Sequence, residues 1–316
     1  MAASHMEIIS QSALIRLPPY DPEILAVKDT QHRPVPSSLE ELRELRQGEP
    51  PHDDKIFNDP RIAIEKIFIP GADRLLRAIV LTNKSPMATS KLRPGILFLH
   101  SGGRMQWLSA SNTDYLRRAP EVPGIQTLED CYSSLVWMSD NLDNYNIDSD
   151  RFMISGVSAG TGLAAGTVLL SRDRHGPRVC AQLLSCPMLD DRSITLSSRQ
   201  FENGRGFYTE WGRYAWKCVL GENAEEANVS SYVAPGRAED LSHLPPAYID
   251  AGSCEPFRDE SILYAMKLWE CGVQAELHIW AGGSHGFDLL FPTEIGAQAT
   301  TTRDAWLKRA LREETK

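Results

Sequence analysis

A serine, a carboxylate and a histidine, in that chain order, can carry out acyl transfer, and this chain holds all three where such chemistry is workable. Ser158 stands in Gly156-Val157-Ser158-Ala159-Gly160. The apolar run Arg151–Ser155 before it predicts a strand, and the small-residue stretch Thr161–Leu170 after it predicts a helix. Strand, sharp turn and helix are the setting of a nucleophile elbow. The turn puts the serine in strained backbone geometry, and a side chain at 156 or 160 would collide with the neighbouring strand and helix. The hydroxyl is then held at the positive end of a helix, where a developing anion is stabilised.

A serine hydroxyl is a poor nucleophile until a base takes its proton, and the base needs a carboxylate to orient it. His285 lies in Gly282-Gly283-Ser284-His285-Gly286-Phe287, predicted as a flexible loop after a strand that ends at Trp280. That is the expected place of the base. His5, His32, His52, His175, His243 and His278 have no comparable setting. The acid is expected on the loop Ala251–Glu260, with Glu255, Asp259 and, less so, Asp250 as candidates. Glu255 is nearest the strand end, and Pro256 fixes the following turn; Asp259 suits the start of the next helix, where a carboxylate complements the dipole.

Acyl transfer also needs donors for the oxyanion. His100-Ser101-Gly102-Gly103 follows the apolar strand Gly95–His100, so the amides of Gly102, Gly103 and Ala159 are the expected donors, together worth several kcal/mol in the transition state. Trp107, just past these glycines, and Phe207 and Trp211, from the aromatic-rich stretch 201–216, are candidate substrate-pocket residues.

These residues require a scaffold of alternating strands and helices. Ile62–Ile69 and Leu75–Thr82 flank Pro70-Gly71-Ala72-Asp73 and predict a hairpin. Val179–Leu184, Ala247–Asp250 and Ala275–Trp280 predict further strands, and Ser261–Glu270 and 294–311 predict helices. The rhythm implies an α/β fold with a mostly parallel central sheet flanked by helices. Four segments follow: 1–60, an N-terminal helical cap segment in which Ser38 and Glu41 form a capping box; 61–189, the first part of the core; 190–243, a cap insertion; and 244–316, the second part of the core.

Composition narrows the function. The net charge of −9 argues against nucleic acid or an anionic membrane as partner. No apolar run approaches the roughly 20 residues of a membrane span. Ala3-Ser4-His5-Met6 reads as a cloning remnant ahead of the natural start. Cys131, Cys180, Cys186, Cys218, Cys254 and Cys271 are scattered without metal-ligand spacing, which suits buried thiols in a reducing cytoplasm and no metal site.

Six stretches, His100–Gly103, Arg118–Glu121, Leu128–Tyr132, Gly156–Gly160, Tyr232–Pro246 and Glu255–Glu260 with His285-Gly286, together resemble the hormone-sensitive-lipase-like carboxylesterases of the α/β-hydrolase fold. The resemblance implies cofactor-free hydrolysis of a small-molecule, short-chain acyl ester beneath a helical cap. It maps nucleophile, acid and base to Ser158, Glu255 and His285, and the oxyanion donors to Gly102, Gly103 and Ala159. Many members dimerise, which leaves a homodimer open. Three departures stand out: Ser101 replaces a glycine, Glu255 replaces the usual aspartate, and only 104–117 separates the oxyanion loop from Arg118. A crossover helix and its strand do not fit in that space, so one helix-strand unit is expected to be missing. The competing readings are a lactonase or acetyl-ester hydrolase of a specific metabolite, a non-catalytic ligand-binding protein of this fold, and an inactive shortened form.

Overall fold

The structure, a computed structural model, describes residues 15–26, 34–48, 58–84, 92–102, 119–122, 124–203, 206–221, 228–290 and 292–312. Two sheets are present among them. Strands β1 (Ile62–Pro70) and β2 (Leu75–Asn83) form the expected antiparallel hairpin. Strands β3 (Arg93–Leu99), β4 (Ile147–Val157), β5 (Gln182–Ser185), β6 (Ala247–Cys254) and β7 (Ala275–Ser284) form a parallel sheet in chain order. Among the described residues β3 pairs only with β4, and no strand joins the hairpin to the sheet. The stretch where a helix-strand unit is expected to be missing, 103–118, falls outside the described residues.

Helices cover both faces. On one, α4 (Ala159–Asp173) and α7 (Arg258–Glu270) bury Ala164, Ala165, Val168, Tyr264, Ala265 and Leu268 against Ile154, Leu184 and Ile249. On the other, Trp306 of α9 (Glu294–Ala310) packs with Met153, Leu183 and Tyr248. Neighbours such as Met153 and Ile154 point opposite ways, as strand alternation requires, and both are fully buried. Strands β5, β6 and the second half of β4 are thus buried on both faces, whereas the apolar strand expected at Gly95–His100 is not: β3, paired only with β4 among the described residues, leaves Ile96 46% and Phe98 57% exposed. Helix α3 (Gln126–Asp140) packs beside α4 through Leu128 and Cys131.

The cap regions are helical. Residues 190–243 contain α5 (Leu196–Gln200) and α6 (Thr209–Leu220), and the N-terminal segment contributes α1 (Pro22–Ala26) and α2 (Leu39–Gly48). Leu42 of α2 and Tyr208, Trp211, Ala215 and Trp216 bury against Ala159 and Phe257, which ties the cap to the start of α4 and of α7. At the head of α2, Ser38 Oγ accepts from Glu41 N (3.1 Å) as in a capping box. The Glu41 carboxylate, however, takes the amide of Ser37, not Ser38.

Several boundaries differ from expectation, three of them as follows. Strand β5 begins at Gln182, with Cys180 N already bonded to Phe152 O at 2.8 Å, so 179–181 leads into it. Helix α7 opens at Arg258, before Ser261. Strand β7 runs to Ser284, past the predicted end at Trp280, because Cys254 pairs with Ser284 beyond a register shift at Gly252. A Cβ on Gly252 would lie 2.0 Å from Gly283 O, so only glycine lets the two strands close up here.

Candidate active site

The elbow is set by steric exclusion. Ser158 has φ 53° and ψ −120°, in the left-handed half of backbone space that side chains avoid. A Cβ on Gly156 would lie 2.4 Å from Gly160 O, and one on Gly160 would lie 2.1 Å from Leu99 O. Hydrogen bonds hold the strained residue: Ser158 N donates to Ser185 O at 2.8 Å, and the Thr161 hydroxyl donates to Ser158 O.

Ser158 Oγ lies 2.8 Å from His285 Nε2, and His285 Nδ1 lies 2.5 Å from Glu255 Oε2. A carboxylate only accepts, so Nδ1 carries the ring proton and Nε2 is left to accept from the serine hydroxyl. Glu255 is fully buried, and its other oxygen accepts from Gly252 N at 2.8 Å. Both oxygens of the carboxylate are thereby committed, one to the ring and one to the backbone. The Phe207 ring lies over His285 at 4.9 Å between centroids, and Phe257 meets it edge-on at 5.4 Å.

The other acid candidates lie elsewhere. Asp259 accepts from Ser197 N and from Arg258 Nε in the first turn of α7, and Asp250 pairs with Arg303 of α9. Of the expected oxyanion donors, Ala159 opens α4, where the first amides have no acceptor within the helix, and Gly102 follows β3 with φ 110°. Gly103 and Trp107 lie outside the described residues. Trp211 is buried in the cap cluster, edge-on to Tyr214 at 6.2 Å. None of the six cysteines is in a disulfide; Cys131, Cys186, Cys218 and Cys254 are buried, while Cys180 and Cys271 are half-buried. Burial pushes the Cys186 thiol well above its ordinary range.

No residue pattern marks the ties around His285. The segment 15–26 straps across the site: Asp21 N donates to Gly282 O at 3.0 Å, the Cys254 thiol donates to Pro19 O at 3.2 Å, and Gln200 of α5 donates to Arg16 O. Gly282 N in turn donates to Ser253 Oγ at 2.8 Å. The loop expected to be flexible is therefore fastened, for the physical reason that β7 continues through its glycines. Among the described residues no group of His, Cys, Asp and Glu could hold a metal ion, and no helix is long and apolar enough to cross a membrane.

Residues 109–289, more than half of the chain, match the family described as the alpha/beta hydrolase fold. The chain belongs to the α/β-hydrolase family. This hydrolase is 30% identical over 276 residues to the carboxylesterase NlhH of Mycobacterium tuberculosis, covering 80% of this chain and 84% of the relative. It is also 30% identical over 218 residues to the esterase LipI of the same organism, spanning 61% of this chain and 65% of LipI, just under two thirds. Among solved structures it is similar to a bacterial heroin esterase, with a TM-score of 0.80 and 30% identity over 93% of this chain and 98% of the other. Hydrolase activity of the esterase type is the common character of these relatives.

Proposed function

We propose that this hydrolase is a serine carboxylesterase of the hormone-sensitive-lipase-like branch, acting on short-chain acyl esters. The observation that carries the reading is the unbroken line from Ser158 Oγ through His285 to the buried carboxylate of Glu255, at 2.8 and 2.5 Å. His285 Nε2 takes the Ser158 proton as Oγ bonds to the ester carbonyl carbon. The carbonyl oxygen becomes an oxyanion held by the amides of Ala159, Gly102 and Gly103. Collapse expels the alcohol, which leaves with the proton from Nε2, and an acyl-serine remains. Water then gives a proton to Nε2 and attacks the acyl carbon, and collapse frees the acid as Ser158 Oγ leaves with the proton from Nε2. Throughout, Glu255 stabilises the imidazolium and fixes its tautomer. Helices α2 and α6 pack against Ala159, next to Ser158, and the Phe207 ring lies beside His285.

The test is hydrolysis of p-nitrophenyl acetate, butyrate and octanoate by the protein and its Ser158→Ala variant. The expected result is turnover of the two shorter esters, falling by about 10⁴-fold or more in the variant. A folded protein without turnover, or turnover that survives in the variant, refutes the reading. The first of these outcomes favours a non-catalytic ligand-binding member of the fold.

A further inference from the structure

Helix α9 carries an arginine that no motif above accounts for. Nη2 of Arg303 donates to two carboxylates, Asp250 Oδ2 at 2.7 Å and Asp288 Oδ2 at 2.5 Å. The three side chains are 13%, 3% and 4% exposed. Enclosed charges of this kind persist only while they hold one another, and losing one partner strands the others.

The attachments of the bridge give it a role. Asp250 lies on β6, which leads into Glu255, and its backbone oxygen accepts from Cys186 N at 2.7 Å. Cys186 follows Ser185, whose carbonyl holds Ser158 N. Asp288 belongs to the short helix α8 (Phe287–Leu290), directly after the base, where Leu289 N and Leu290 N close on Gly286 O. The base is bracketed by Gly282 at φ 81° and Gly286 at φ 68°. Backbone flanked by left-handed glycines has cheap alternative conformations, so the position of the ring depends on what anchors each side. On the upstream side the anchors are Asp21 and Ser253. Downstream, the charged anchor is Asp288 on Arg303.

We propose that Arg303 is a positioning residue for His285, acting through Asp288; the inference rests on the esterase reading above. The experiment compares Arg303→Met, Arg303→Lys and Asp288→Asn with the unaltered protein. It follows kcat and KM on p-nitrophenyl butyrate, the melting temperature, and the low-field NMR resonance of the His285 Nδ1 proton. A displacement of about 1 Å at a catalytic group costs about 100-fold, so kcat should fall by about 10- to 100-fold in the Met and Asn variants while KM holds. The lysine, which keeps a cation between the carboxylates, should recover most of the lost rate. Should Arg303→Met fail to fold, Asp288→Asn decides, because it leaves Arg303 paired with Asp250. Undiminished kcat in folded Asp288→Asn overturns the proposal, as does a loss the lysine does not recover. A wild-type protein that hydrolyses nothing refutes the esterase reading. The NMR signal then decides this inference: present in wild type and lost or broadened in Asp288→Asn supports it, and equally sharp in both overturns it.

Discussion

Replacing Glu255 by glutamine should abolish catalysis while leaving the fold intact, for a reason specific to this site. Gly252 N donates to Glu255 Oε1 at 2.8 Å, and His285 Nδ1 meets Oε2 at 2.5 Å. A carboxamide in the same place has one accepting and one donating end. The Gly252 amide can only donate, so it must take the oxygen, and the amide nitrogen is turned toward Nδ1. Nδ1 then has to accept, the ring proton moves to Nε2, and Nε2 donates to Ser158 instead of taking its proton. Trapping a triad histidine in the wrong tautomer costs about 10⁴-fold in kcat, or about 5.4 kcal/mol at 1.36 kcal/mol per decade. Stability should fall by only about 1 kcal/mol, since a charge-assisted bond becomes an ordinary one and no buried group is left unpaired. Glu255→Asp should show the reverse order. Its shorter side chain cannot span both partners, so keeping His285 leaves the Gly252 amide unpaired, at about 1–3 kcal/mol of stability, with the smaller loss of kcat. The assay is kcat on p-nitrophenyl butyrate beside urea denaturation of all three proteins. A folded Gln variant within about tenfold of wild-type kcat would refute the tautomer argument.

Two further outcomes follow from the same geometry. Gly160→Ala should destabilise by about 3 kcal/mol or more in urea denaturation, because its Cβ would lie 2.1 Å from Leu99 O and 2.6 Å from His100 O, and backbone cannot step aside as a side chain can. Glu260 accepts from Leu189 N and Asp190 N while fully enclosed, and burial pushes its carboxyl well above the ordinary value of 4.5. Above 4.5 the unfolded chain has released this proton and the folded chain has not, so stability should decline as pH rises toward the folded value. Glu260→Gln keeps the accepting oxygen and should flatten that decline, read from urea midpoints between roughly pH 5 and pH 9.

The structure brings Ser158, Glu255 and His285 together, and the signals that singled them out are local: glycines the elbow cannot do without, and strand ends in the required order. Choosing Glu255 over Asp259 was only partly local. Both lie on one loop, and what separates them is that Gly252 and Gly283 touch, which carries the loop of β6 to the loop of β7. No residue type announces that contact. Reading 282–284 as flexible failed for a related reason. Glycine weakens a strand prediction, yet here the absence of side chains permits the pairing that makes the strand. The hairpin was readable from its two apolar, β-branched runs around Pro70–Asp73. Arg303 was not, because its partners Asp250 and Asp288 are distant in the chain and a lone arginine on an amphipathic helix looks like any solvated charge.

The proposed nucleophile and base are thus held by different physics, and that difference sorts the consequences of mutation. Ser158 is fixed by exclusion: Gly156, Gly160 and the end of β3 leave its backbone one place to be, and the space is used up before any hydrogen bond is counted. Disturbing it means pushing backbone apart, so damage there should appear first as lost stability. His285 is fixed by attachment. Its flanking glycines supply freedom, and the strap at Asp21, the Ser253 hydroxyl, the Cys254–Ser284 pairing and the Arg303–Asp288 bridge remove it. These ties set the position of the ring and, on the reading proposed above, keep Nε2 within reach of Oγ. Loosening one should therefore appear as lost kcat out of proportion to lost stability, and the two classes of variant separate on a plot of rate against stability.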